Sequence, residues 1–484
     1  MAERILYNRR RRDSTAFSHP CKMDFTIKRI TSGPKHHLFG FHDLVQTNAK
    51  GDLALSLEVD DISHPPLPGE TCWSGVVPVD GGDFIPIHKT HTWNYPQGAR
   101  QQWIGDSDLY LCNDRADDGR LICRVVDARK RQIIKTLPFP VHCLDASCRY
   151  AYFINYDRLY SLGAYGYTPF CDTEKHRVED IPTNDGIFRG SLETGEIELL
   201  LSIRDIAAAG ERSPKRVGYP HFLSHLEVNP SGTRVSCLHQ YRVQDGGDIA
   251  RLVTFGCDGL EVRVLCKGEV SHYTWVDDNH LAFYGGDMAA MAAKRELWIW
   301  NLPVARLILP SIKWLVKRIR NEKAAAPTHG SGGCGKMGLQ VVEDSTVHEM
   351  HNAAPGIIME DGHPMTNPVW RDWIVMDTYP GKRDFRKLFL YNLKSSEIVS
   401  LGEYPMSLKT VDKTKFDLRK VYYGVDGRIK KAFNESQYLH FRSGLHCDLH
   451  PRWSHDGRIV FFDSIHEADE RQLYAIDVGS VVCR

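Results

Sequence analysis

One unit recurs along this chain and limits its possible folds more than any other feature. It consists of a polar residue, usually histidine, then a short strand-like stretch, a tight polar turn and a second apolar strand. In HCDLHPRWSHDGRIVFFDS, residues 446–464, the turn is Asp456-Gly457 and the apolar strand covers 459–462. HLEVNPSGTRVSCLHQY, from His225, turns at Pro230-Ser231-Gly232 and continues in a strand over 234–239. HYTWVDDNHLAFYG, from His272, turns at Asp277-Asp278-Asn279 before a strand over 280–284. HPMTNPVWRDWIVMDTY, from His363, turns near Arg371-Asp372 before 373–377. HDLVQTNAKGDLALSLEV, from His42, turns at 48–51 before 52–59. HCLDASCRYAYFINYD at His142 is a shorter version, and QQWIGDSDLYLCND places Gln101 where the others have histidine.

The units begin at residues 42, 101, 142, 225, 272, 363 and 450, and each reads as a hairpin. Further strand candidates lie between them, at 121–126, 195–201, 250–255, 261–266, 388–391 and 472–478. Each unit therefore supplies about four short strands, which fits a propeller blade. Helical periodicity is scarce. The expected fold is all-β: one seven-bladed β-propeller over 25–484, preceded by a mobile basic tail at 1–24. A pair of β-sandwiches is the alternative, but it leaves the repeated residue at the start of each unit unexplained. In a propeller the first strand of each blade lines the central channel. A residue repeated there rings one mouth of that channel. The competing reading for any single histidine is a strand cap or a bond to a neighbouring blade.

Two stretches break the pattern. Residues 163–184, rich in Gly, Pro and aromatics, read as a long loop folding over a channel mouth. Residues 302–347 interrupt the fifth blade with a helical insertion. Within it, 310–323 places Ile312, Leu315, Val316 and Ile319 on one helical face and Lys313, Lys317, Arg318 and Arg320 elsewhere. Such a basic amphipathic helix packs on its own domain, or makes a peripheral membrane or protein contact.

Composition excludes several function classes. Sixty-one Lys and Arg balance sixty-one Asp and Glu, which argues against a general nucleic-acid binder. The thirteen cysteines are irregularly spaced with no CxxC, as expected of reduced thiols in a cytoplasmic protein. The basic run Arg9–Arg12 is not followed by an apolar stretch, unlike a secretory signal. No segment approaches the roughly 18 apolar residues of a membrane span. GSGGCGK lacks the spacing and strand context of a P-loop, and HExxH, nucleophile-elbow and kinase motifs are missing, so no nucleotide cofactor is expected.

The motifs FGFHDL (39–44), WNYPQGARQQW (93–103), SHLEVNPSG (224–232), SHYTW (271–275), DGHPMTNP (361–368), MDTYPGKR (376–383), CDLHPRWSHDG (447–457) and FDSIHE (462–467) carry a family resemblance. The chain resembles the oligogalacturonate lyases and TolB-type seven-bladed propellers, and more closely uncharacterised bacterial propellers of surface-glycan gene clusters. The resemblance covers most of residues 36–480. It implies that His225 stands at the base position. It further implies that His272, within SHYTW, and His363, before Pro364, stand at ligand positions for a divalent metal, generally manganese. The match then departs from the pattern: Asp361 stands at the position of another histidine and Ile358 at that of a glutamine. Asp can ligate manganese and Ile cannot, so the site is depleted or rebuilt, with Asp448 and His450 as replacement donors. The arginine that assists the base has three candidate counterparts, Arg204, Arg216 and Arg251.

The reaction implied is β-elimination on an acidic, uronic-acid-containing glycan. A base removes the weakly acidic proton next to the carboxylate, while a metal or Arg stabilises the enediolate-like intermediate. The expected roles are His225 as base and Arg251 as a bidentate carboxylate grip. Tyr379 is the proton donor to the leaving oxygen. His272, Asp361 and His363 are the metal ligands, and His42, Gln101 and His450 are substrate contacts. Trp93, Trp103, Trp275 and Trp453 are either sugar-stacking platforms or blade core. The alternative is a non-catalytic propeller that binds glycan or protein in polysaccharide biosynthesis.

Overall fold

The computed structural model describes residues 24–162, 165–169, 178–210, 220–242, 248–295, 337–380, 384–416 and 435–484. Residues 1–23, Arg216, the 310–323 segment and part of the 163–184 stretch lie outside these.

The short strands assemble into antiparallel sheets in chain order. Five sheets have four strands and one has seven. The first runs from His36–Leu38 through Leu53–Val59 and Cys72–Pro78 to Ile85–Thr90. The next two begin at Gln102–Trp103 and Cys143–Leu144. The seven-stranded sheet runs from His221–Val228 to Met350–Asn352. Its long central strand, Arg263–Trp275, pairs through its first half with Asp248–Gly256 and through its second half with His280–Asp287. The register shifts between Val270 and Tyr273. One strand thus closes one unit and opens the next.

The last sheet joins the two ends of the chain. Arg452–Trp453, Ile459–Ser464 and Gln472–Asp477 are completed by Ile27–Arg29, which pairs antiparallel with the third of these. This closure and the succession of small sheets are the arrangement of a β-propeller.

The turn chemistry explains the hairpins. Gly457 has φ 69° and its N–H donates to the carbonyl of Ser454 at 2.9 Å. A Cβ there would come 2.3 Å from Asn367 Oδ1, so only glycine fits. Gly232, at φ 74°, closes the Asn229 turn in the same way.

The cores lie between neighbouring sheets. Met365, Val375, Leu388 and Leu390 of one sheet pack with Val460, Phe462, Tyr474 and Ile476 of the next. Ala282, Leu339 and Val341 likewise pack with Ile374, Met376 and Tyr391. Each such buried aliphatic or aromatic side chain contributes about 1.5–3 kcal/mol. The four repeated tryptophans belong to these cores. Trp103, Trp275 and Trp453 are buried and donate their indole N–H to Gln46 O, Ser236 Oγ and Met365 O. Trp93 is buried beside Tyr95.

One boundary is corrected. The expected insertion at 302–347 includes Gly338–Glu343, which is a strand paired with His280–Asp287. Leu339 and Val341 pack into the core on one face and Val342 into the core on the other, which holds the strand in the sheet.

Candidate functional site

His225 lies in the first strand of its sheet and His363 and His450 just before theirs, whereas His42 follows the strand His36–Leu38 and His272 lies within the long strand Arg263–Trp275. Left-handed backbone occurs at two of these histidines and at Arg100. His225 has φ 55°, His450 φ 40° and Arg100 φ 51°, in the left-handed region that residues other than glycine seldom adopt. At His225 the strain coincides with a bulge between Ser224 and Glu227.

Five of these imidazoles converge on one aromatic ring, Phe41. Its centroid lies 4.3 Å from His42, 4.7 Å from His225, 5.0 Å from His450, 5.7 Å from His272 and 6.2 Å from His363. The histidines also contact each other. His272 and His363 are 4.1 Å apart between ring centroids, and His363 and His450 4.3 Å. All five are buried, none more than 6% exposed. Residues separated by more than 400 positions thus share one site.

Each ring is anchored through Nδ1. His42 Nδ1 lies 2.8 Å from Pro364 O, and His450 Nδ1 3.0 Å from Gly40 O. His363 Nδ1 is 2.7 Å from Asp377 Oδ1. A carbonyl or carboxylate only accepts, so these three rings carry the proton on Nδ1 and a lone pair on Nε2. His225 follows by a second step. Ser224 Oγ donates to Gln240 Oε1 at 2.9 Å, so it accepts from His225 Nδ1 at 2.7 Å. His272 Nδ1 meets Ser271 Oγ at 2.9 Å. Among the described residues, Nε2 of His42 and of His225 is buried with no hydrogen-bond partner.

Carboxyl groups surround this cluster. Asp377, fully buried, also accepts from the backbone N–H of His363 at 2.8 Å and of His450 at 3.2 Å. Asp448 Oδ2 lies 3.2 Å from His446 Nε2 and 3.8 Å from His450 Nε2. Asp361 Oδ1 lies 3.9 Å from His272 Nδ1 and is buried without a hydrogen bond among the described residues. Against these three carboxyls stands the guanidinium of Arg386, 2.6 Å from Asp448 Oδ1. Burial, then neighbouring imidazoles, holds His42 and His225 well below the ordinary histidine pKa, and chiefly burial does the same for His450. Burial also opposes charge on His363, but Asp377 outweighs it and raises that pKa. Burial opposes ionisation of Asp448, and Arg386 and His446 outweigh it, so its pKa falls well below normal.

Three of these residues could together hold a metal ion. One donor atom from each of His363, Asp448 and His450 lies within 4.8 Å of the others. Of the ligands expected from sequence, His363 is in this set. His272 packs against it, and Asp361 reaches His272 from the far side.

Other expected site residues fall in and out of the cluster. Tyr379 is in: its hydroxyl lies 3.5 Å from His363 Nε2, and burial raises its pKa well above normal. Gln101 turns away, donating to Ser74 Oγ and Ser56 O inside the sheet. The residue equivalent to His450 is Arg100, three before a Trp in both RQQW and HPRW. Arg100 makes a bidentate pair with Asp43 at 2.8 Å. Arg251 is remote: its guanidinium donates to the carbonyls of Ile206, Ala207 and Ala209, at the end of the short helix Ile203–Ala208. His142 bonds the Tyr156 hydroxyl through Nδ1 at 2.8 Å. Ile358 is core. Phe41 and Asp377 lie inside the FGFHDL and MDTYPGKR motifs, but the contacts of Phe41, Asp377 and Arg386 with the histidine cluster are revealed only by the fold.

The site is covered. Tyr165, from the expected 163–184 loop, lies 6.0 Å from His225 and 6.4 Å from Phe41. Tyr165 also lines a small pocket with Pro65, Pro66, Pro96, Tyr160 and Phe441.

No family model matches the sequence, and no curated protein matches it. Solved structures do. An oligogalacturonate lyase from Vibrio parahaemolyticus is 12% identical, with 95% of each chain covered and a TM-score of 0.48. The tricorn protease is 9% identical over 93% of this chain and 34% of its own, with a TM-score of 0.45. The β-propeller domain of the Trilobed protease from Pyrococcus furiosus is 9% identical over 80% and 83%, with a TM-score of 0.38. Among the described residues no helix is long and apolar enough to cross a membrane.

Proposed function

We propose that this chain is a seven-bladed, carbohydrate-active propeller that carries out lyase-like β-elimination on a uronic-acid-containing glycan. The observation that carries this reading is the cluster itself. Imidazoles from five parts of the chain meet around Phe41, and the Nδ1 partners of His42, His225, His363 and His450 fix their Nε2 lone pairs. Three nearby carboxyl groups face one guanidinium. Imidazole nitrogens with a carboxylate beside them fit one divalent cation. His363, His450 and Asp448 would hold it, with His42 Nε2 next to them. When bound, such an ion would compensate the charge of Asp448 and supply the positive field that stabilises the enediolate-like intermediate.

The chain's own residues supply the proton transfers. His225 offers its Nε2 lone pair to the proton next to the carboxylate, and burial keeps it neutral and able to accept. The electrons of the broken C–H bond form the new double bond as the glycosidic oxygen leaves. Tyr379 keeps its hydroxyl proton because burial disfavours the phenolate, so it can donate to that oxygen. We place the protein in the cytoplasm; the ten described cysteines are free thiols.

A second reading is a non-catalytic glycan- or protein-binding propeller. Phe41 and Tyr165 favour it, because they close the cluster from the adjoining pocket. The experiment is incubation of metal-loaded protein with uronic-acid oligosaccharides, following the ultraviolet absorbance of an unsaturated product. Product that vanishes in His225→Ala supports the lyase. Bound metal with no product across an acidic-glycan panel supports the binding propeller.

A further inference from the structure

Asp448 serves two neighbours at once. It belongs to the triad with His363 and His450, and it is also the counter-charge of Arg386. Arg386 is 1% exposed and its Nη1 reaches Thr378 O at 3.3 Å. Its guanidinium lies 5.5 Å from the centre of the Tyr379 ring. Nε and Nη2 of Arg386 make no hydrogen bond among the described residues, so the 2.6 Å approach to Asp448 is a charge contact off the hydrogen-bond line. A buried guanidinium whose Nε has no partner, and whose Nη2 is held only by that charge contact, keeps a donor edge suited to a planar oxyanion. Tyr379, which reaches His363 Nε2, sets that edge beside the histidines.

We propose that Asp448 couples the two bindings: a divalent ion on His363 and His450 takes Asp448 as a ligand and leaves Arg386 to grip the substrate carboxylate. This rests on the proposed function and adds an order to it, ion first and acid sugar second. The physical reason is charge. Without the ion, Asp448 is the charge partner of Arg386, and a substrate carboxylate must compete with it in a poorly screened interior. With the ion, the charge of Asp448 is compensated and the field of Arg386 becomes available. The coupling is reciprocal by linkage, so an acid sugar must tighten the ion by the same factor.

The test is calorimetric titration of the full chain, stripped by chelation, with D-glucuronate in the absence and presence of saturating Mn²⁺. D-glucose is the neutral control. The expected result is glucuronate binding about 10-fold tighter with the ion, matched by a similar gain in Mn²⁺ affinity with glucuronate, and no gain for glucose. Arg386→Gln should keep the ion and lose the coupling. Equal glucuronate affinity with and without Mn²⁺, or coupling that survives in Arg386→Gln, overturns the inference. The reciprocal measurement uses the wild-type chain alone, so it decides the matter if that variant does not fold. Binding of Mn²⁺ without coupling removes only this inference. Failure to bind any divalent ion removes the proposed function with it.

Discussion

Asp377 Oδ1 accepts the Nδ1–H of His363 at 2.7 Å, and its other oxygen accepts the backbone N–H of His450 at 3.2 Å. One fully buried carboxylate therefore orients two members of the triad that come from different sheets.

Asp377→Asn should weaken divalent-metal binding by about 10–100-fold, the usual cost of losing an outer carboxylate behind a ligating histidine. Competition against a chelating dye measures it. Unchanged affinity would show that His363 is not a ligand.

An imidazole-rich donor set favours later first-row ions over manganese. Zn²⁺ or Ni²⁺ should displace Mn²⁺ at stoichiometric concentration, with about one ion per chain by elemental analysis. His450→Ala should lose that ion. Replacing Gln101, which faces Ser74 rather than the histidines, should not.

His225→Ala should retain the bound ion and lose product formation, because its role is proton removal and it lies outside the ligating triad. Loss of the ion in this variant would make His225 a ligand instead.

Arg251→Met should destabilise the fold by about 1–3 kcal/mol, because buried carbonyls at the end of Ile203–Ala208 lose their donor. Metal content should not change. A chemical-denaturation midpoint together with elemental analysis separates this from a catalytic role.

His88 sets an acid limit on stability. Both its ring nitrogens are buried without a hydrogen bond among the described residues, and burial lowers its pKa to about 4. The unfolded chain takes up this proton near the ordinary value of about 6.5, so acid favours unfolding between these two values. Stability should fall by about 2 kcal/mol from pH 7 to pH 5 through this residue alone. His88→Met should flatten that part of the curve in denaturation experiments at the two pH values. An unchanged slope would show that His88 is not buried neutral.

The sheets were legible in the order of residues alone. Alternating apolar residues bounded by Asn-, Asp- and Gly-containing turns are local signals, and local steric rules suffice to place them. The strand expected at 373–377 is Trp373–Asp377, and that expected at 472–478 is Gln472–Asp477. The repeat also put His42, His225, His272, His363 and His450 in equivalent places. Aligning on Trp rather than on the polar residue would have found Arg100 as well. The roles of these residues came from contacts made on folding. Arg251 looks like any arginine in a strand until a helix end arrives to claim it. Asp377 and Arg386 read as ordinary residues of paired strands until the fold sets them beside histidines of other sheets. Strand formation depends on near neighbours in the chain. Charge balance and ligation depend on distances of a few ångströms between remote segments, and those distances exist only once the chain has closed on itself.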